Sequence, residues 1–368
     1  MKRVVFFHPY FGDGGVERTN LGLAKGLIEN GYQITFLTTA YTSHFIKEVE
    51  ELGIEFVSFG DKKVSSSVFN IVKFLNHISS KQNIYFVSCQ YYSNVFSMIA
   101  SLLVKNRRNI KFINSERNHL DEFAINKGIK SQIILYLVKL SYRFADTLVA
   151  NSRETAEDLS NFLKIEVKFT YNPTINERLK TLKNEEIKEQ WFLNDQRKSI
   201  LGIGRLTNQK DFINLLKAYK VFNKKDRYKL VILGDGENRN ILENYIKENN
   251  LEKDIYLPGF VSNPYKFLNQ SALFVLSSQY EGLPNVLIEA LYLKIPCMST
   301  NCKSGPKEIL LDNELLVDTG DYKRMASKMQ DILNNPNKYS TPLKKAFTGV
   351  DRFTYENSIK NFVEVIEG

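Results

Sequence analysis

The stretch Gln279-Tyr-Glu-Gly-Leu-Pro-Asn-Val-Leu-Ile-Glu-Ala290 sets Glu281 and Glu289 eight positions apart, with Gly282 and Pro284 between them. Proline suits the first position of a helix, where its missing N–H costs nothing. Val286, Leu287, Ala290 and Leu291 then supply apolar residues at helical spacing. Glu281 therefore reads as a loop residue just before a helix, and Glu289 as a residue about one turn inside it. First-turn amides lack intrahelical partners and sit at the positive end of the helix dipole, so an anion site falls between the two carboxylates. A carboxylate one turn in suits a vicinal diol such as a ribose. The turn of Gly282, Leu283, Pro284 and Asn285 would take a diphosphate, and the loop carboxylate a sugar beyond it. Such a site fits a nucleotide-sugar.

Outward from this junction the chain alternates short β-rich runs with helical patterns, as βαβ units and parallel sheets require. In the first half, strands read at 3–7, 33–38, 55–59, 84–88, 110–114, 147–150 and 166–169, and helices at 15–30, 68–79, 94–104, 130–144 and 153–162. The alternation stops near Tyr171-Asn-Pro173, and a charged stretch with one helix near 185–191 follows. A second series opens at 199–203 and continues through strands at 229–233, 255–257, 273–276, 297–299 and 314–317. Its helices read at 212–222, 239–249, 264–270, 285–293, 306–310 and 321–333. The expected fold class is α/β, with Rossmann-like domains at 1–172 and 199–351, joined by a linker at 173–198. The two would face each other across a cleft at the carboxyl ends of their sheets.

A chain of 368 residues can hold two domains with separate cores. With 43% hydrophobic residues, a mean hydropathy of −0.28 and no apolar run near the roughly 20 residues that span a bilayer, it reads as a cytoplasmic globular protein. Met1-Lys-Arg leads straight into a strand and lacks the apolar core and cleavage site of a secretory leader. Cys89, Cys297 and Cys302 have no paired spacing and read as small buried hydrophobes. The net charge of +9 is concentrated: between Lys62 and Arg153, 14 Lys/Arg stand against Glu116, Asp121, Glu122 and Asp146, a net of +10. That window suggests an anionic partner, and with no nucleic-acid module beside it the expected surface is an anionic membrane or lipid diphosphate. Within it, 127–144 reads as a helix with Ile133, Ile134, Leu137, Leu140 and Phe144 on one side, flanked by Lys127, Lys130, Lys139 and Arg143. This stripe fits either a membrane surface or the underlying sheet.

Five segments, in order, carry a resemblance: Gly14-Gly-Val-Glu-Arg18, Gly202-Ile-Gly-Arg-Leu206 with Lys210, Gly234-Asp-Gly-Glu237, Pro258-Gly-Phe260, and the stretch holding Glu281 and Glu289. Together they resemble the retaining glycosyltransferases of family 4, with their GT-B fold and Glu-x7-Glu motif, over nearly the whole chain. The resemblance implies that Gly14 and Gly15 lie by donor phosphates and acceptor. It also implies that Gly259 and Phe260 hold the nucleobase, with Gly234 at the neighbouring strand end. A final helix, about 352–368, would pack back on the first domain.

The residues themselves agree with these roles. Gly12-Asp-Gly-Gly15 is a glycine-rich turn at a helix start, where glycines admit close approach and permit positive φ. It is not a full G-x-G-x-x-G, and no acidic residue ends the second strand as a dinucleotide ribose would need. Arg205 and Lys210, at a strand-end loop, suit a diphosphate leaving group through a bidentate and a point-charge contact. No Asp lies two residues from another, so no Asp-x-Asp is present to hold Mg²⁺ or Mn²⁺, and no metal or cofactor is expected. One departure stands out. Many relatives have Ser-Glu-His after a first-domain strand, but Asn114-Ser-Glu-Arg-Asn-His119 puts Arg117 in the place of that histidine. His119, two residues on, and His8, ahead of the glycine turn, are the other candidates there.

The expected activity is transfer of a hexose or N-acetylhexosamine from a nucleoside diphosphate sugar, UDP-linked, to a hydroxyl of a growing lipid-linked glycan. The chain would work in the cytoplasm, peripherally at the inner face of the plasma membrane. Two rivals stand: a non-catalytic nucleotide-sugar-binding partner of another transferase, and a two-domain nucleotide-sugar epimerase.

Overall fold

The computed structural model describes residues 2–60, 64–80, 82–120 and 128–368, with backbone alone at 64 and 130. Lys62, Asp121, Glu122, Lys127 and the side chain of Lys130 thus lie outside the described part of the basic window. The chain divides into one unit of Met1–Pro173 with Tyr355–Gly368 and another of Thr174–Thr354.

The first unit is built on seven strands: β1 Arg3–His8, β2 Gln33–Thr38, β3 Glu55–Ser58, β4 Ile84–Cys89, β5 Ile110–Glu116, β6 Thr147–Ala150 and β7 Lys168–Phe169. They lie parallel in the order β3-β2-β1-β4-β5-β6-β7. The second unit has six: β8 Lys198–Ile203, β9 Tyr228–Leu233, β10 Ile255–Gly259, β11 Leu273–Leu276, β12 Cys297–Thr300 and β13 Leu316–Val317. Their order, β10-β9-β8-β11-β12-β13, repeats the same plan. Each sheet grows outward from its first strand in both directions, which leaves a switch point beside that strand where ligands of such sheets bind. All thirteen expected strands are present, each within two residues of the sequence reading at both ends. The reason is visible in β1, where Val4, Val5, Phe6 and Phe7 are all fully buried, as in a strand covered by helices on both faces.

The final helix, Tyr355–Glu367, packs on the first unit as expected, and a 3₁₀ turn at Gly349–Phe353 precedes it. Ile359, Phe362 and Ile366 share a core with Val4 and Phe6, and Phe362 stacks on Phe6. Gly26 makes room: a Cβ there would lie 2.4 Å from Ile359 Cδ1.

The stretch read as a linker is instead ordered within the second unit, with helices Glu177–Leu182 and Gln190–Leu193. Lys229 of β9 is buried and donates to the carbonyl oxygens of Phe192 and Asp195, at 2.7 and 2.6 Å. Trp191 stacks on Phe267, ring centroids 5.2 Å apart. The charged sequence of this stretch looks solvated because its anchor is contributed by a distant strand.

Candidate functional site

In the second unit, β8 and β9 end in two interlocked turns. The Gly204 N–H donates to the Leu233 carbonyl and the Leu206 N–H to the Asp235 carbonyl, both at 3.0 Å, and the Gly234 N–H donates to the Gly259 carbonyl at 2.9 Å. Only glycine fits at Gly234: its φ is +138°, and a Cβ would stand 1.9 Å from the Gly204 carbonyl oxygen. The result is a rigid frame of strand ends, with Phe260 projecting just beyond β10 at 60% exposure.

This frame presents two cations in different ways. Arg205 is exposed, and among the described residues its side chain makes no ion pair or hydrogen bond. Lys210 is mostly buried and donates to Glu281 Oε1 at 2.6 Å. Ser278 Oγ donates to the same oxygen at 2.6 Å. A carboxylate only 5% exposed would be costly to bury without such donors. Two further bonds clamp the loops together: Gln209 Nε2 to the Tyr280 carbonyl at 3.1 Å, and Ser277 Oγ to the Lys210 carbonyl at 2.7 Å. Burial first, and then the negative charge of Glu281, push the neighbouring Cys302 thiol up. All three cysteines are free and buried, as the sequence suggested.

The helix Asn285–Tyr292 follows. Pro284, expected at the first helical position, is instead the cap one residue before it, and its carbonyl accepts from the Leu287 N–H at 3.0 Å. Helix ends vary by this much. Glu289 is one turn in and buried, and the Tyr265 hydroxyl donates to its Oε1 at 3.3 Å. Leu283 is buried beneath the turn, the Gly282 carbonyl accepts from Ser304 Oγ at 2.8 Å, and Asn285 Oδ1 accepts from Thr174 Oγ1 at 3.1 Å. The structure thus brings Arg205, Lys210 and Glu281 to neighbouring loops of one unit, with Glu289 in the helix that follows. Ser278, Tyr265 and Ser304 escaped the sequence reading, because nothing in their spacing marks them. Only the nearness of Ser278 to Glu281 in the chain could have pointed to one of them.

In the first unit, the glycine turn joins β1 to the helix Gly15–Glu29, which Gly14 caps at a φ of −79°. None of Gly12, Gly14 and Gly15 uses the positive φ that glycine permits. A Cβ at Gly15 would meet nothing within 4 Å, so the protein's own packing does not require glycine there. Arg117 directly follows β5 and is buried. It donates to Asn172 Oδ1 at 3.0 Å and to Asn20 Oδ1 at 2.9 Å. Asn20 Nδ2 also lies 3.4 Å from His8 Nε2. Burial, and then the Arg117 charge, push His8 down to about 3, which keeps the ring neutral. Arg117 and His8 therefore share one buried cluster at the carboxyl ends of β1 and β5. His119 belongs elsewhere: buried, it sits 2.6 Å from Asp158 Oδ2 and fastens the helix Arg153–Leu163.

Residues 13–174 match the family described as Glycosyltransferase Family 4, and residues 183–348 match the Glycosyl transferases group 1. An uncharacterized glycosyltransferase of Methanocaldococcus jannaschii is 38% identical over 231 residues, 61% of this chain and 56% of that protein. The Campylobacter jejuni N-acetylgalactosamine-N,N'-diacetylbacillosaminyl-diphospho-undecaprenol 4-alpha-N-acetylgalactosaminyltransferase is 33% identical over 236 residues, 62% of each chain. These alignments span less than two thirds of either relative. Among solved structures, Anabaena HepE in complex with UDP and glucose superimposes with a TM-score of 0.80 at 16% identity, over 99% of both chains. That likeness is one of fold, and the fold is GT-B.

Proposed function

Because the chain belongs to the family 4, group 1 glycosyltransferases, we propose that it is a retaining, metal-independent enzyme. It moves one hexose or N-acetylhexosamine from a UDP-sugar to a hydroxyl of a growing lipid-linked glycan. The observation that carries this reading is the Lys210–Glu281 pair, 2.6 Å apart, with Lys210 on a loop shared with the exposed Arg205, which has no partner among the described residues, and Glu281 just ahead of the helix that bears Glu289. A UDP-sugar needs those four functions: a ribose ligand, two phosphate cations and a sugar ligand. The UDP and glucose named with HepE support the donor class, and the undecaprenol diphosphate named with the Campylobacter relative supports the acceptor class.

In this reading Glu289 binds the ribose diol, and Phe260 packs on the base beside Gly259 and Gly234. The turn of Gly282, Leu283, Pro284 and Asn285 takes the diphosphate. Arg205 grips it bidentately. An ammonium has three N–H donors, so Lys210 can keep Glu281 oriented toward the sugar while also donating to a phosphate oxygen. The acceptor oxygen attacks the anomeric carbon on the face from which the diphosphate departs, and the acceptor proton passes to the departing oxygen. Configuration is retained with no covalent enzyme intermediate. Gly14, Gly15 and Arg117 are the proposed acceptor-side contacts on the first unit. The absence of any Asp-x-Asp from the sequence supports metal independence, with Arg205 and Lys210 carrying the charge instead. Turnover should therefore survive EDTA; loss of activity with EDTA that Mn²⁺ restores would contradict this.

Calorimetry with the Glu289→Ala protein tests the site. Loss of a charged hydrogen-bonding partner should weaken UDP and UDP-sugar alike by about 1.5–3 kcal/mol, whereas Glu281→Gln should chiefly lower turnover. Unchanged UDP affinity in Glu289→Ala would overturn the assignment.

A further inference from the structure

Three helices of the first unit stand side by side: Val68–Ser79 beside Tyr91–Leu103, and Tyr91–Leu103 beside Ile129–Ser141. Together they contain Lys73, Lys130 and Lys139 and no Asp or Glu, in a chain that is 25% charged. Tyr91–Leu103 has no charged residue at all. A surface helix ordinarily shows water a charged or polar face. These show it apolar side chains: Phe69, Leu102, Ile129, Ile133, Tyr136 and Leu140 are 41–83% exposed. Of the 18 large apolar side chains exposed among the described residues, 11 lie on these helices and the turn at Phe144. That concentration marks a site, since scattered exposed hydrophobes would need no explanation.

The inner faces do not need these residues. Ile71, Leu75, Met98, Val138 and Tyr142 already fill the core beneath. The stripe that sequence left open between sheet and membrane turns mostly outward: Ile133, Leu137, Leu140 and Phe144 are exposed, while Ile134 is half-buried against the core that Val138 and Tyr142 fill.

Charge identifies the occupant. Lys73, Lys105, Arg108, Lys139 and Arg143 are exposed on or next to these helices. Among the described residues of the basic window, Glu116 is buried and Asp146 is paired with Arg107 at 2.8 Å. An apolar face with a cationic rim fits lipid headgroups of opposite charge over hydrocarbon. A second copy of this chain would instead bring like charges together. None of the described helices is long and apolar enough to cross a membrane, so this is a surface for lying on one.

We propose that the outer face of these three helices docks the first unit on an anionic bilayer, with the apolar side chains inserted at the headgroup boundary and the basic ones among the headgroups. This rests on the surface alone and stands or falls separately from the transferase reading, since the test needs neither donor nor turnover.

The test is co-sedimentation of the full chain with vesicles of phosphatidylcholine, alone or mixed with phosphatidylglycerol, at low and high salt. The wild type should bind the mixed vesicles preferentially, and keep part of that binding at high salt, where the charge contribution is screened but the apolar one is not. Ile133→Asp/Leu137→Asp should lower partitioning at least about tenfold, the loss expected when one buried aliphatic side chain is removed. Ile129→Asp alone, at a side chain 83% exposed, repeats the test should the double variant fold poorly. Val221→Asp, an exposed apolar position on the second unit, should change nothing. Equal sedimentation with both vesicle types, or unchanged binding by the Ile133→Asp/Leu137→Asp and Ile129→Asp proteins, would overturn the proposal. So would self-association of the wild type, lost in these variants, without vesicle binding.

Discussion

Arg205→Ala should lower turnover by about 10²–10³-fold, as removal of one preorganised charge contact does elsewhere, while leaving the thermal midpoint near that of the wild type. Both halves follow from its surroundings. The guanidinium is exposed and has no partner among the described residues, so the fold loses little with it. Negative charge builds on the departing diphosphate as the sugar bond breaks, so a fixed cation there favours the transition state over the bound substrate. Lys210→Ala would give a less readable result. It strips the principal donor from a Glu281 carboxylate only 5% exposed. Orphaning one member of a buried pair typically costs about 3–5 kcal/mol, so lost activity would be mixed with lost stability. Near-normal kcat in Arg205→Ala would remove this residue from the reaction.

Gly234→Ala should have the largest effect on stability. The added methyl would lie 1.9 Å from the Gly204 carbonyl oxygen, and the backbone would be held at a φ of +138°. Neither turn can yield cheaply, because each is tied to the other by the hydrogen bonds of Gly204 and Leu206. Strain at such a position and overpacking each cost about 1–3 kcal/mol, so a combined loss of about 3 kcal/mol is expected. For a unit of this size that lowers the melting midpoint by about 6–12 °C, and donor affinity should fall with it as the Arg205 turn is displaced. Calorimetric melting measures the first and UDP titration the second. An unchanged midpoint would mean that the turns are not interlocked as described.

The strands were legible because parallel strands covered on both faces are continuous apolar runs, and β1 or β9 can be read straight from the chain. The loop-to-helix junction at 281–289 was legible for a similar local reason: glycine, proline and helical spacing lie within a dozen residues. What stayed hidden depends on partners far away in sequence. Lys210 and Glu281 were each picked out, but spacing carries no information that they bond each other across 71 positions. His119 read as a candidate for the site because its partner Asp158 lies 39 residues on. The segment 173–198 read as a linker because Lys229, which anchors it, belongs to another strand. Periodicity marked Ile133 and Leu140 as apolar on one side of a helix, but only packing decides that Val138 and Tyr142 already cover the core.

Metal-free sugar transfer is read out by mass spectrometry of acceptor after incubation with the isolated protein, a panel of nucleoside diphosphate sugars and polyprenyl-diphosphate-linked glycans, in EDTA. The wild type should add the mass of a single hexose or N-acetylhexosamine from one UDP-sugar, and Arg205→Ala almost none. No gain from any donor, by a protein that still binds UDP-sugar through Glu289, would contradict such transfer and leave a nucleotide-sugar-binding partner of another transferase.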